Sequence, residues 1–184
     1  MAPHEHGTGN GHGKGIAFRD QIASQVVEAV NPQAHDTIYD IGSGDGHYSA
    51  RFAEKSRQVF AFDARPEVFQ GENYQKSNIT AVPGNICSWA KIHGFQDASQ
   101  VFFSNSFHDM PCQEALLEWL GATLRSASRL NFVEFKRETP FGPPVDIRYS
   151  PERLKQVVET QGFRLVKELS FEYHYFHTYE KLKE

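Results

Sequence analysis

Three glycines and three carboxylates carry the most chemistry for the least sequence. Gly42, Gly44 and Gly46 alternate through Asp40-Ile-Gly-Ser-Gly-Asp-Gly46, where Asp40 and Asp45 also fall, and Asp63 follows at the end of the next apolar run. A glycine turn that opens a helix offers unpaired backbone amides to a polar ligand. A carboxylate beyond a second strand can accept a hydrogen bond from each hydroxyl of a ribose. The dinucleotide spacing G-x-G-x-x-G is missed by one place, because residue 47 is histidine. Charge agrees with that miss: Asp40 and Asp45 oppose a pyrophosphate laid over the turn and favour a ligand that carries a cation.

A second group of reactive types is Asn105-Ser-Phe-His-Asp109. His108 is the candidate general base there, since an imidazole titrates near operating pH and Asp109 is its neighbour in the chain. Other histidines read less productively. His4, His6 and His12 stand among flexible glycines that make convergence on one metal ion entropically expensive. His174 and His177 fall on opposite faces of a regular strand, so no metal site is expected.

These residues need strands and helices to hold them. Thr37 to Ile41 reads as a buried strand, Tyr48 to Lys55 as a helix and Gln58 to Phe62 as a second strand. Upstream, Ile22, Val26, Val27 and Val30 form an apolar stripe on a helix that Asp20 is placed to cap. Further strands are expected at Ile79 to Val82, Gln100 to Ser104, Arg129 to Phe135, Leu165 to Tyr173 and Tyr175 to Leu182. Between them, Cys112 to Leu124 carries a broad apolar face, and Ser150-Pro151 opens a helix that Gly162 closes. The loop from Lys136 to Ser150 leaves the fifth strand on the ligand side, with Lys136 and Arg148 as candidates for gripping an acidic substrate. Phe107, Phe141 and Tyr175 are candidate walls for a substrate pocket.

The chain at this point resembles the class I S-adenosylmethionine-dependent methyltransferases, whose D-x-G-x-G-x-G motif is matched by Asp40, Gly42, Gly44 and Gly46 and whose acidic second-strand end is matched by Asp63. A compact UbiE-like, type 11/12 subgroup is suggested by Gly142-Pro143-Pro144, Ser150-Pro151-Glu152 and Tyr173-His174-Tyr175. The resemblance implies S-adenosylmethionine as cofactor, with the turn Gly42, Ser43, Gly44, Asp45 and Gly46 along its amino acid part and Asp63 on its ribose. It implies Asn85 and Ile86 at the adenine, and Asn105, His108 and Asp109 beside the transferred methyl group. The implied fold is α/β, a doubly wound, mostly parallel sheet of seven strands ordered 3-2-1-4-5-7-6 with an antiparallel C-terminal hairpin. The Asn105 segment departs from the N-P-P-aromatic pattern of enzymes that methylate exocyclic amines of bases.

Composition narrows the partners. The chain has 184 residues, 39% hydrophobic and 13% aromatic, enough for one α/β domain over 19–184 behind a flexible Gly/His-rich segment over 1–18. No apolar run approaches membrane-spanning length, and Cys87 and Cys112 are too few for a disulfide framework, so a soluble cytoplasmic protein is expected. A net charge of −4 disfavours a nonspecific grip on nucleic acid, so the expected acceptor is a small molecule, nucleic acid is set aside and a homodimer is allowed. Two other classes are open. One is a non-catalytic S-adenosylmethionine-binding or regulatory protein, and the other, disfavoured by His47 and the acidic turn, is a nicotinamide-dependent oxidoreductase.

Overall fold

The computed structural model describes residues 11–183. Seven strands form one sheet in the order β3-β2-β1-β4-β5-β7-β6. The strands are β1 Thr37–Ile41, β2 Gln58–Asp63, β3 Ile79–Pro83, β4 Gln100–Ser104, β5 Arg129–Phe135, β6 Phe163–Ser170 and β7 His174–Lys181. Strands β1 to β5 run parallel, while β7 pairs antiparallel with both β5 and β6. The expected strand order and C-terminal hairpin are what the chain adopts.

Helices cover both faces, which is why the central strands are mostly apolar, with Asp40 and Glu134 among the buried exceptions. Helices α1 Gly11–Val30 and α2 His47–Ala53 pack on one side through Val26, Val30 and Phe52 against Ile38, Val59 and Phe102. Helices α3 Ile86–His93, α4 Gln113–Thr123 and α5 Pro151–Glu159 pack on the other through Ala90, Leu116, Leu120 and Leu154 against Val101, Phe103 and Phe132. Val101 and Phe103 thus face one layer and Phe102 the opposite one, as the two-residue period of a strand requires.

The chain winds outward from β1 through β2 to β3, then crosses back to β4. That reversal separates the loops after β1 and β4 and leaves a crevice at the strands' carboxyl ends, where open α/β sheets bind ligands.

Three expectations need correction. Asp20 does not cap α1, which begins at Gly11 and continues through it. The 1–18 segment was expected to be flexible; 1–10 lies outside the described residues, His4 and His6 with it, and the chain is helical from Gly11, with the side chain of His12 not described. Cys87 and Cys112 form a disulfide, with Cα atoms 5.9 Å apart. They were read as too few and too poorly placed for a disulfide framework, yet the fold brings the start of α3 beside the start of α4. The bond also removes the cysteine argument for a reducing, cytoplasmic setting. Among the described residues no helix is long and apolar enough to cross a membrane.

Candidate active site

The glycine turn is shaped by what approaches it. Gly42 has φ +74°, and a Cβ there would run into Ser106, whose hydroxyl donates to the Ile41 carbonyl at 2.7 Å. Gly44 has φ +56°, with nothing within 4 Å of where its Cβ would stand. Both values favour glycine strongly. The Gly44 amide donates to Asp63 Oδ2 at 2.9 Å, and Asp63 Oδ1 accepts from the Arg65 backbone and its Nε at 2.9 and 3.2 Å. Asp63 therefore ties the ends of β1 and β2 together and still fronts the crevice.

That crevice is a cleft of about 480 Å³, lined by Gly42, Asp63, Gly84, Asn85, Ile86, Asn105, Ser106 and Asp109 among others. Its size lies within the roughly 300–1,000 Å³ of small-molecule sites. The remaining predicted residues sit around it. Asp40 is buried beneath the turn, hydrogen-bonded to Ser49, and burial pushes its carboxyl up to about 7, with Asp63 and Asp45 adding to the rise against the pull of Ser49. Ser43 is buried against Tyr74 at 2.9 Å, and the Tyr74 hydroxyl donates to the Gly44 carbonyl at 2.7 Å. Gly46 caps the start of α2. Asp45 turns outward and takes Arg19 Nη1 at 2.9 Å; burial works upward on its carboxyl, but that hydrogen bond and charge outweigh it and hold its pKa down. Asn85 uses its side-chain carbonyl to cap α3 at the Cys87 amide, 2.8 Å away, and lines the cleft, its amide nitrogen not engaged by that bond.

His108 faces elsewhere. It is buried, and its Nδ1 lies 2.6 Å from Glu134 Oε2 in a pair removed from water on both sides. Asp109, expected as its partner, is 3.6 Å from Nε2 and exposed. Burial opposes charge on His108, yet the hydrogen bond and charge of Glu134 prevail and raise its pKa; burial raises Glu134 as well. Glu134 was missed in the sequence because it sits in an apolar strand far from His108 in the chain. Parallel pairing of β4 with β5 brings the two strand ends together.

Arg148 does not reach for a ligand. Its guanidinium is buried and donates to the carbonyls of Pro143, Lys136, Arg137, Thr139 and Phe141 at 2.7 to 3.1 Å, so it folds the loop after β5 around itself. Phe107 and Tyr175, expected as pocket walls, are core residues at 0% and 2% exposure.

Five buried side-chain polar atoms lack a partner among the described residues: Arg19 Nε, His47 Nε2, Tyr48 Oη, Asn105 Oδ1 and Glu134 Oε1. All belong to segments at the carboxyl edge of the sheet. Leaving such an atom unpaired costs about 1–3 kcal/mol.

A family model described as ribosomal RNA adenine dimethylase matches residues 16–113, more than half of the chain. The chain belongs to that family. Its fold is that of the class I S-adenosylmethionine-dependent methyltransferases, and its cofactor is S-adenosylmethionine. The cleft fits that group: the carboxylates of Asp63 and Asp109 line it, complementary to a cationic ligand, and Gly44, whose amide meets Asp63, has nothing within 4 Å of where its Cβ would stand. Among solved structures, a SAM-dependent methyltransferase from Aquifex aeolicus superposes with a TM-score of 0.71 at 20% identity, over 85% of this chain and 87% of that one. An uncharacterized methyltransferase of Schizosaccharomyces pombe is 24% identical over 118 residues, 64% of this chain and 42% of its own length. An rRNA adenine N-6-methyltransferase of Streptococcus sanguinis is 30% identical over 50 residues, 27% of this chain and 20% of its own. The chain thus spans less than half the length of these two relatives.

These matches overturn the expectation that nucleic acid is set aside. Family and relative both carry ribosomal RNA adenine in their descriptions. The error was physical: a net charge of −4 is a sum over the whole chain, whereas a nucleic acid meets the local field.

Proposed function

We propose that the chain transfers a methyl group from S-adenosylmethionine to the exocyclic amine of an adenine in RNA. The observation that carries this reading is the side chain of Asn105. Its backbone is left-handed, with φ +50°, and its Nδ2 lies 3.2 Å from His174 Nε2. Burial, with Lys136 adding, lowers the His174 pKa to about 4, so the ring is neutral and accepts from the amide. Asn105 Oδ1 is left buried and unpaired at the cleft, ready for an N–H donor. An amine nitrogen held by that oxygen keeps its lone pair free for attack: the N–C bond would form as the donor's S–C bond breaks, and the nitrogen's surplus proton would then pass to solvent at the cleft mouth.

S-adenosylmethionine supplies an already activated methyl group, so the chain's work is alignment, exclusion of water and charge complementarity. In this reading Asp63 takes a ribose hydroxyl on the lone pairs its own contacts leave. Asn85 Nδ2 donates to the adenine ring and Ile86 packs on it. Gly42 to Gly46 follow the amino acid part, Asp40 supplies negative charge beneath it, and Arg19 Nε is a donor for its carboxylate. Held by Glu134, whose hydrogen bond and charge raise its pKa, His108 lies buried away from the cleft and is not assigned the base role expected from sequence.

Labelled methyl groups should appear on adenine N6 of an RNA oligonucleotide. Asn105→Ala should cut turnover by roughly 10²-fold while donor affinity stays within about threefold. An undiminished rate in that variant, or donor binding with methylation of free metabolites alone, would overturn the reading. Binding without any methylation would favour the non-catalytic alternative.

A further inference from the structure

A second cavity, of about 380 Å³, shares the 105–113 segment with the cofactor cleft. Asn105 and Asp109 front the cleft; His108 and Gln113 front the second cavity, together with Arg137, Arg148, Arg153 and Asp146. Three guanidinium groups therefore meet the single carboxylate of Asp146, while the imidazole is already paired with Glu134. The arginine ion pairs of the described residues involve Arg19, Arg65, Arg125, Arg129 and Arg164, and none of the three in this cavity.

The three arginines are not equivalent. Arg148 spends its donors on loop carbonyls and contributes charge alone. Arg137 and Arg153 are exposed, with single contacts of 3.4 Å to the Arg148 carbonyl and 3.2 Å to Gln156. Their remaining N–H groups are open to a ligand. Three like charges gathered around one carboxylate raise the energy of the empty site, and an anion relieves it.

We propose that this cavity binds a phosphate group, namely that of the nucleotide whose base is offered to Asn105. A phosphate carries up to two charges on three oxygens, which suits two open guanidinium forks better than a carboxylate's single charge does. The proposal rests on the reading above for the identity of the acceptor, but the binding of phosphate is separable from it. It also accounts for the shape of the loop after β5, which Arg148 folds so that Arg137 stands over the cavity.

Titration calorimetry on protein saturated with the demethylated cofactor provides the test. Adenosine 5′-monophosphate should bind about tenfold or more tightly than adenosine, and inorganic phosphate should compete with it. The preference should shrink in Arg137→Gln and in Arg153→Gln, with affinity for the demethylated cofactor unchanged as the sign of intact folding. Equal binding of nucleotide and nucleoside by the unaltered protein, or a preference that survives both substitutions, overturns the proposal. Phosphate-dependent binding with no methylation of RNA would sink the proposed function and leave the site standing. RNA methylation indifferent to both substitutions would do the reverse.

Discussion

The cofactor cleft is lined by Asp63, with Arg65 paired to it, and Asp109, over a buried Asp40, whereas the cavity beside it gathers Arg137, Arg148 and Arg153 around Asp146, and the 105–113 segment lies between them. The acidic side is made by strand ends and a glycine turn that backbone geometry holds rigid. The basic side is made by a loop that one buried guanidinium holds together. In the proposed reading, the difference in charge between the two sides of one segment would favour a cationic donor on one and a phosphate on the other.

The largest effect should come from breaking the basic side. Arg148→Ala leaves five carbonyls without their donor and should destabilise the fold by roughly 3 kcal/mol or more, read as a lower midpoint in urea. The same variant should lose its preference for nucleotide over nucleoside while keeping cofactor affinity within about twofold. Equal loss of both ligands would show that the two sides are not separable. On the acidic side, Asp63→Ala should weaken cofactor binding by about 1.5–3 kcal/mol, tenfold or more. Unchanged cofactor affinity in calorimetry would remove Asp63 from the site.

The smallest effect sharpens the comparison through protons. Burial raises the Asp40 carboxyl from 3.8 to about 7, so its contribution to stability is complete below the lower value and is lost as pH rises through the higher. A cation bound above it favours the ionised form. Cofactor binding near pH 7 should therefore release a fraction of a proton, measured as a dependence of binding heat on the buffer's ionisation enthalpy. Asp40→Asn should abolish the release; persistence would assign it to another group.

Much of the acidic side was legible in the sequence because its chemistry is local. Asp40 to Gly46 is one turn and Asp63 ends the adjacent strand. Apolar periods located the strands and helices around them, and the family resemblance supplied the order of the sheet. The basic side was not legible, because its members meet only through tertiary structure. Glu134 looked like a stray polar residue in a strand, and Arg148 like a substrate-facing charge, since side-chain direction cannot be read from a proline-rich loop. The aromatics failed for a related reason: an alternating strand or a short turn can send Phe107 and Tyr175 inward as readily as outward. Net charge misled about the acceptor because averaging erased an arginine cluster.

The Cys87–Cys112 bond joins the first turn of α3 to the residue before α4. Cys87 lines the cofactor cleft on one side, and Met110 and Pro111, just ahead of Cys112, line it on the other. The two lips of the cleft therefore belong to one covalent ring, and their relative freedom is already restricted when the ligand arrives. Preorganisation of this kind strengthens binding without adding a contact, because the entropy of closing the mouth is lost at folding and oxidation. With the bond reduced, the same ordering would accompany ligand entry and weaken it.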